Sequence, residues 1–555
     1  MNISNKLSAL ALCLVCGPGA VAPSFAEAQP ARVRIDAGEL QGVVEDNIAV
    51  FRGIPYAAPP VGELRWRPPQ PVAAWDGLRD ASRFGHACPQ KLGAYPDWAD
   101  AHFAQVGLDE DCLSLNVWAP ADRGAELLPV MFYIHGGNMQ FGSGTMPLYD
   151  GSVLAREGVV LVTINYRLGY LGRFVHPAMS RAQAGEPLAN YGVFDQIAAL
   201  EWVQRNIAAF GGDPQRVTIF GHSAGGVSVN VLMITPQSKG LFHGAIAQGS
   251  GILLDANQHA FEPGPPGPAS RSREAYGEDL VEYFEIEAVD EKDLLDQLRA
   301  MPWEPMIEYQ RKRQVPFNPV VDDVVVFDHV ARVFERGEQH DVPYIGGANS
   351  WEWNQIDDIP LIGKWFLGGA LIDGLSDEDL AIFDDQWTRI GLSQRWFAEG
   401  LFLSSTRYLG KQMANVPAPA WLYHITYINE RLRGQIPGAV HGLEVPFIFG
   451  HVPEHPEFQR PAEAATTPAT AADLAFGDTL RAYWLNFAKT GNPNGPGLPE
   501  WPRYEPDTDL VLVVDEQMVP TPGLYKDTLD FLEERALIRR RDFERARLQA
   551  DGQRR

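Results

Sequence analysis

Val217-Thr218-Ile219-Phe220-Gly221-His222-Ser223-Ala224-Gly225 is the stretch that decides how this chain folds. A β-branched, apolar run leads into G-x-S-x-G, and a segment able to form a helix follows. Strand, tight turn, helix is the context in which this pattern makes a nucleophile elbow. The flanking glycines leave room for a turn that lifts the serine hydroxyl clear of a sheet. A bare G-x-S-x-G arises by chance in a glycine-rich chain, so its meaning depends on the rest of the sequence.

Working outward, apolar runs alternate with helical patterns. Val130 to Ile134, Val159 to Asn165, Val342 to Ile345, Ala420 to Ile428 and Leu510 to Val514 read as strands. Near-continuous apolar runs suit strands covered on both faces. Val193, Ile197, Leu200, Val203 and Ile207 recur at three and four, which sets them on one helix face. Gly211-Gly212-Asp213-Pro214 is expected to stop that helix. The alternation predicts an α/β fold: a central, mostly parallel sheet with helices on both faces. Phe261 to Ser270 and Gln459 to Asp473 read as surface loops. Glu533 to Arg555, rich in arginine with interspersed acids, reads as a solvated helix or frayed tail.

The chain has 555 residues, 45% of them hydrophobic, and a formal net charge of −25. It can bury a large core, and its charge repels phosphate backbones, which argues against nucleic-acid partners. Lys6, the apolar run Leu7 to Val21 and the small-x-small Ser24-Phe25-Ala26 read as an export leader. The expected organisation is a signal peptide over 1–26, one catalytic domain over 27–540 and a charged tail over 541–555. A membrane anchor and a lipid-modified Cys16 are the alternatives for the leader. Beyond it no segment offers about 20 uninterrupted apolar residues, so no stable membrane insertion is expected. An exported chain, periplasmic or secreted, keeps only Cys88 and Cys112. Two such cysteines are expected to pair, with two buried thiols as the alternative.

A serine hydroxyl needs a base within reach, and the base needs a partner that fixes its tautomer. The order serine, acid, histidine is offered by Ser223, by Glu352 in Asn349-Ser350-Trp351-Glu352-Trp353, and by His441 in Gly438-Ala439-Val440-His441-Gly442. His135-Gly136-Gly137-Asn138 follows a strand, where backbone N–H groups can face a substrate carbonyl; Ala224 adds another. Asp322 and Asp323 are the rival acids. His451 and His455, four apart, invite a metal pair on a helix, but Pro453 and Pro456 argue against that helix.

These segments resemble the type-B carboxylesterases, the cholinesterase-like branch of the α/β hydrolases. The resemblance runs from near Phe51 to Tyr504. It includes Phe51 to Ala57, Leu64-Arg65-Trp66, Glu110 to Trp118, Asn165 to Gly169, Asn190-Tyr191-Gly192, Phe210 to Pro214, Trp484 to Asn494 and Trp501 to Tyr504. It implies Ser223 as nucleophile, His441 as general base and Glu352 as its orienting acid. It implies Gly137, Asn138 and Ala224 as oxyanion donors, a Cys88–Cys112 disulfide loop, a structural role for Asp322 and Asp323, and no metal or organic cofactor. The implied activity is hydrolysis of small-molecule carboxylic esters. An amidase or carbamate hydrolase with the same triad, and a non-catalytic binding module, are the alternatives.

Three positions depart from the family pattern. Asn138 stands where glycine or alanine is usual, His222 where glutamate is usual, and Gly249-Ser250-Gly251 where Gln-Ser-Gly is usual. Loss of a carboxylate at 222 argues against choline esters. Trp98, Phe141, Trp351, Trp353, Trp365 and Phe366 are the candidates for an apolar pocket that takes hydrophobic acyl or aryl groups.

Overall fold

The structure, a computed structural model, describes residues 29–93, 97–122, 124–183, 185–186, 189–251, 271–313, 315, 318–352, 376, 379, 382, 396–450 and 469–554. The expected leader, the loop 261–270, most of 459–473, Trp353, Trp365, Phe366, His451 and His455 lie outside these residues, as does the Trp98 side chain.

The described strands form one sheet. They are β1 (Gln29–Ile35), β2 (Gly38–Glu45), β3 (Ile48–Pro55), β4 (Leu78–Asp80), β5 (Ser114–Pro120), β6 (Leu128–Ile134), β7 (Val160–Ile164), β8 (Gly212–His222), β9 (Gly244–Gln248), β10 (Tyr344–Asn349), β11 (Ala420–Ile425), β12 (Leu510–Val514) and β13 (Met518–Pro522). Their spatial order is β1-β2-β3-β5-β7-β6-β8-β9-β10-β11-β12-β13, with β4 beside β2. From β7 to β12 all neighbours are parallel; at the two edges the neighbours are antiparallel, except that β4 lies parallel to β2. This is the α/β-hydrolase architecture expected from the sequence.

The alternation of side chains along a strand builds a core on each face. On β6, Phe132 and Ile134 join one cluster while Met131 and Tyr133 join the other. On β7, Val160, Val162 and Ile164 divide from Leu161 in the same way. The helix Tyr191–Asn206 lays Val193, Ile197, Leu200 and Val203 on the first cluster, as its periodicity predicted.

Several boundaries differ from the sequence reading. The helix does stop before Gly211, which takes φ 86° after the short turn Ile207–Phe210 that holds Ile207. Gly212, Asp213 and Pro214, read as its breakers, are already in β8, where the register to β6 slips between Leu128 and Val130. β10 continues past Ile345 to Asn349 through Gly346 and Gly347. Those glycines are packing devices: a Cβ on Gly347 would lie 2.2 Å from the Tyr423 ring. The stretch read as a loop to Asp473 ends earlier, because Thr470 and Asp473 make a capping box that starts the helix Ala471–Thr490. The C-terminal helix Lys526–Arg554 is not wholly solvated: Leu529, Leu532 and Glu533 are buried.

Candidate active site

The parallel strands end along one edge of the sheet, the edge at which open α/β sheets receive ligands. Ile134 pairs with Gly221, His222 with Gln248, Gln248 with Gly347 and Asn349 with Ile425. The segments after β6, β8, β9 and β10 therefore emerge side by side.

Ser223 follows β8 directly and precedes the helix Ala224–Leu232. Its backbone sits at φ 58°, ψ −124°, a strained setting for a residue with a side chain. The surroundings hold it there. Ser223 N donates to Gln248 O at 2.8 Å, and Val227 N donates to Ser223 O at 2.9 Å. A Cβ on Gly225 would lie 2.0 Å from Ile134 O, and one on Gly221 would lie 2.6 Å from Gly225 C. Glycine is obligatory at both positions, as the elbow requires.

The loop after β6 closes over the elbow. A Cβ on Gly136 would lie 3.2 Å from Ser223 Cβ. Gly137 O accepts from the N–H groups of Gln140 and Phe141, and Gly169 N donates to Met139 O. The Gln90 side chain clamps Gly142 through both its amide atoms, at 2.8 and 2.9 Å. Asn138 and Met139 have φ 52° and 58°. Asparagine tolerates this left-handed region better than most residues, so its place in a usually small-residue position is physically coherent. Ala224 opens the elbow helix, where the first N–H groups have no acceptor within the helix.

Glu352 and His441 meet although 89 residues apart. Two loops are zipped together to bring this about: Trp351 N donates to Ala439 O at 2.8 Å, Ala439 N donates to Ser350 Oγ at 2.9 Å, and Ser350 N donates to Ile425 O. Glu352 Oε2 is bonded to His441 Nδ1, and its Oε1 accepts from Asn349 N at 2.6 Å. Burial raises the Glu352 carboxyl and lowers the His441 imidazole. Their mutual hydrogen bond opposes both shifts by favouring the ion pair. The His222 ring lies 4.3 Å from that of His441, which connects the elbow to the Glu352–His441 pair.

Other expected residues are placed as follows. Cys88 and Cys112 are joined in a disulfide. Asp322 is buried away from this cluster; it accepts from the N–H groups of Val324, Val325 and Val326 and from Asn190 Nδ2. Ser250 is buried with its Oγ accepting from Asn230 Nδ2. Phe141 is half-buried and packs on Gly137; Trp351 lies on the zipper itself.

Two contributions escaped the sequence reading. The Phe402 ring lies tilted against that of His441, with centroids 5.2 Å apart, and Leu401 beside it abuts Gly251. Glu444, three residues after His441, is a second buried carboxylate that accepts from Asn349 Nδ2 at 2.7 Å. Its spacing from His441 was available in the sequence; its burial was not.

Residues 29–359 and 384–532 match the carboxylesterase family. Fumonisin B1 esterase of Sphingopyxis macrogoltabida is 33% identical over 517 residues, covering 91% of this chain and 90% of that protein. Para-nitrobenzyl esterase of Bacillus subtilis (strain 168) is 31% identical over 496 residues, covering 87% and 94%. Among solved structures, a carboxylesterase of Geobacillus stearothermophilus superposes with a TM-score of 0.76 at 31% identity, covering 90% of this chain and 99% of that one. The sheet order, the elbow and these matches agree: this chain belongs to the carboxylesterase family and is a carboxylic ester hydrolase.

Proposed function

We propose that Ser223 attacks the ester carbonyl and that His441 takes its proton, with Glu352 holding the imidazole in the right tautomer. The backbone N–H groups of Gly137, Asn138 and Ala224 bind the tetrahedral oxyanion. His441 then protonates the departing alcohol, leaving an acyl-Ser223 ester. Water, deprotonated by His441, attacks that ester, and collapse returns the acid and free Ser223. The observation that carries this reading is the buried bond from His441 Nδ1 to Glu352, on a loop zipper whose histidine rests against the residue preceding Ser223. It leaves Nε2 as the atom that exchanges protons.

The substrates in this reading are small esters with hydrophobic acyl or aryl groups. Phe402 beside His441 supports an apolar wall, and a para-nitrobenzyl esterase among the relatives agrees with aryl esters. The protein works outside the cytoplasm in this reading, released from a leader over 1–26. The Cys88–Cys112 disulfide supports an oxidising compartment. Among the described residues no helix is long and apolar enough to cross a membrane.

The test is the Ser223→Ala variant assayed on p-nitrophenyl esters of increasing chain length. A fall in kcat of about 10⁶ is expected, the size seen when a triad nucleophile is removed. A fluorophosphonate probe should label the parent protein and not the variant. Parent-like turnover by Ser223→Ala would overturn the assignment. Amide or carbamate turnover exceeding ester turnover would overturn the substrate class alone.

A further inference from the structure

Arg173 ends the short helix Gly169–Arg173 and is only 2% exposed. Burial lowers its guanidinium to about 10, yet it stays charged at neutral pH. A full positive charge therefore lies in the interior. Its Nη2 meets only the thioether of Met139, at 3.2 Å, and its Nε and Nη1 have no hydrogen-bond partner among the described residues.

Among the described residues no side-chain carboxylate bonds this charge. Asp195 acts on it through space, but both Asp195 oxygens are engaged by Arg167, from N at 2.9 Å, Nε at 2.8 Å and Nη2 at 2.7 Å. That pair is neutral as a unit. A second buried guanidinium, Arg273, is near enough to repel Arg173 rather than offset it, and it donates to Asn318 O. Buried charges are ordinarily paired, and an unpaired one calls for a counter-charge. The surroundings are close: a Cβ on Gly192 would lie 3.4 Å from Arg173 Nη1. A further buried polar atom without a partner, Gln196 Oε1, lies at the end of a contact chain from Met139 through Ser228.

We infer that Arg173 holds a small monovalent inorganic anion, of halide size, beneath the loop that carries Gly137, Asn138 and Met139. The guanidinium is enclosed, so the ligand must be compact. A free donor of the guanidinium, Nε on one side or Nη1 on the other, faces it, and its charge offsets that of Arg173. Met139, bonded to Arg173 and next to Asn138, links this site to the loop after β6. The inference does not depend on the roles proposed for Ser223, Glu352 and His441.

The probe is bromide. Crystals of the whole protein grown in sodium bromide should show an anomalous peak within hydrogen-bond reach of Arg173 Nε or Nη1. A map in which those atoms meet only water, or in which bromide appears only on the surface, overturns the inference. In parallel, the parent protein's Tm should rise saturably with sodium chloride over sodium gluconate at equal ionic strength, and that of Arg173→Met should not. Equal responses to chloride in the two proteins also overturn it. If Arg173→Met does not fold, the anomalous map on the parent protein decides.

Discussion

His222 packs its imidazole against that of His441, with ring centroids 4.3 Å apart and both rings buried. Burial and the neighbouring histidine hold His222 down to about 3, so it is neutral at working pH. A neutral ring at this position does not draw a proton onto His441, as a carboxylate would. The base proposed for the reaction is thereby kept ready to accept one.

His222→Glu should reverse this. A carboxylate against His441 favours the imidazolium, so the histidine gains its proton at higher pH. The acid limb of kcat/KM on a p-nitrophenyl ester should move up in pH, and His222→Gln should leave it near its parent position. The KM of an ester with a quaternary ammonium alcohol should fall relative to that of a neutral ester in His222→Glu alone. A pH–rate profile identical in all three proteins would show that position 222 exerts no field on His441.

Glu352→Gln should act in the opposite sense. The amide can still accept from His441 Nδ1–H, but it no longer stabilises a positive imidazole. The acid limb should move to lower pH. The plateau of kcat should fall by roughly 10⁴, the order seen when a triad carboxylate becomes an amide. A loss confined to KM, with kcat intact, would assign Glu352 to structure rather than to orientation.

The elbow was legible in sequence because each of its requirements is local. A β-branched run, two glycines that clash if given a Cβ, and a helix-competent segment lie within a few residues. The parallel centre of the sheet was legible for the same reason, through runs such as Val160–Ile164 that are buried on both faces. β1 and β2 were not. Their half-exposed faces interleave Arg32 and Arg34 with Val33 and Ile35, which leaves no apolar run to notice. β9, Gly244–Gln248, has alanine at two positions and a glycine on which Phe487 packs, so it carries little β signal. Glu533 read as part of a solvated tail, yet it is buried against Arg407 and Lys411. Charge pairing across 126 residues leaves no mark in local composition. Phe402 likewise reaches His441 only through tertiary packing.

The disulfide makes a separate claim on stability. Cys88 and Cys112 are 24 residues apart and both buried. Closing a loop of this size restricts the unfolded chain by about 3 kcal/mol. The double variant Cys88→Ser, Cys112→Ser should lose unfolding free energy of that order, seen as a lower urea midpoint, while keeping parent kcat in the absence of denaturant. An unchanged midpoint would mean that the loop is already restrained in the unfolded ensemble.

Glu444 offers a prediction in which pH and stability are coupled. Its Oε2 accepts from Asn349 Nδ2 at 2.7 Å, and the same asparagine donates its backbone N–H to Glu352. Burial raises the Glu444 carboxyl above its ordinary value, with the Glu352 charge adding to the shift and the hydrogen bond from Asn349 opposing it. In the unfolded chain a glutamate loses its proton near pH 4.3. Above that pH the unfolded state ionises first, while the folded state still holds the proton. The stability contributed by the protonated form is therefore present at low pH and lost as pH rises through the folded value. Glu444→Gln keeps an oxygen for Asn349 and cannot ionise. Its Tm relative to the parent protein should climb as pH rises above about 4.3 and level off once the folded carboxyl has ionised. Thermal melts at half-unit pH steps test this; a difference that stays constant across the range, or one that shrinks with rising pH, excludes a raised carboxyl at position 444.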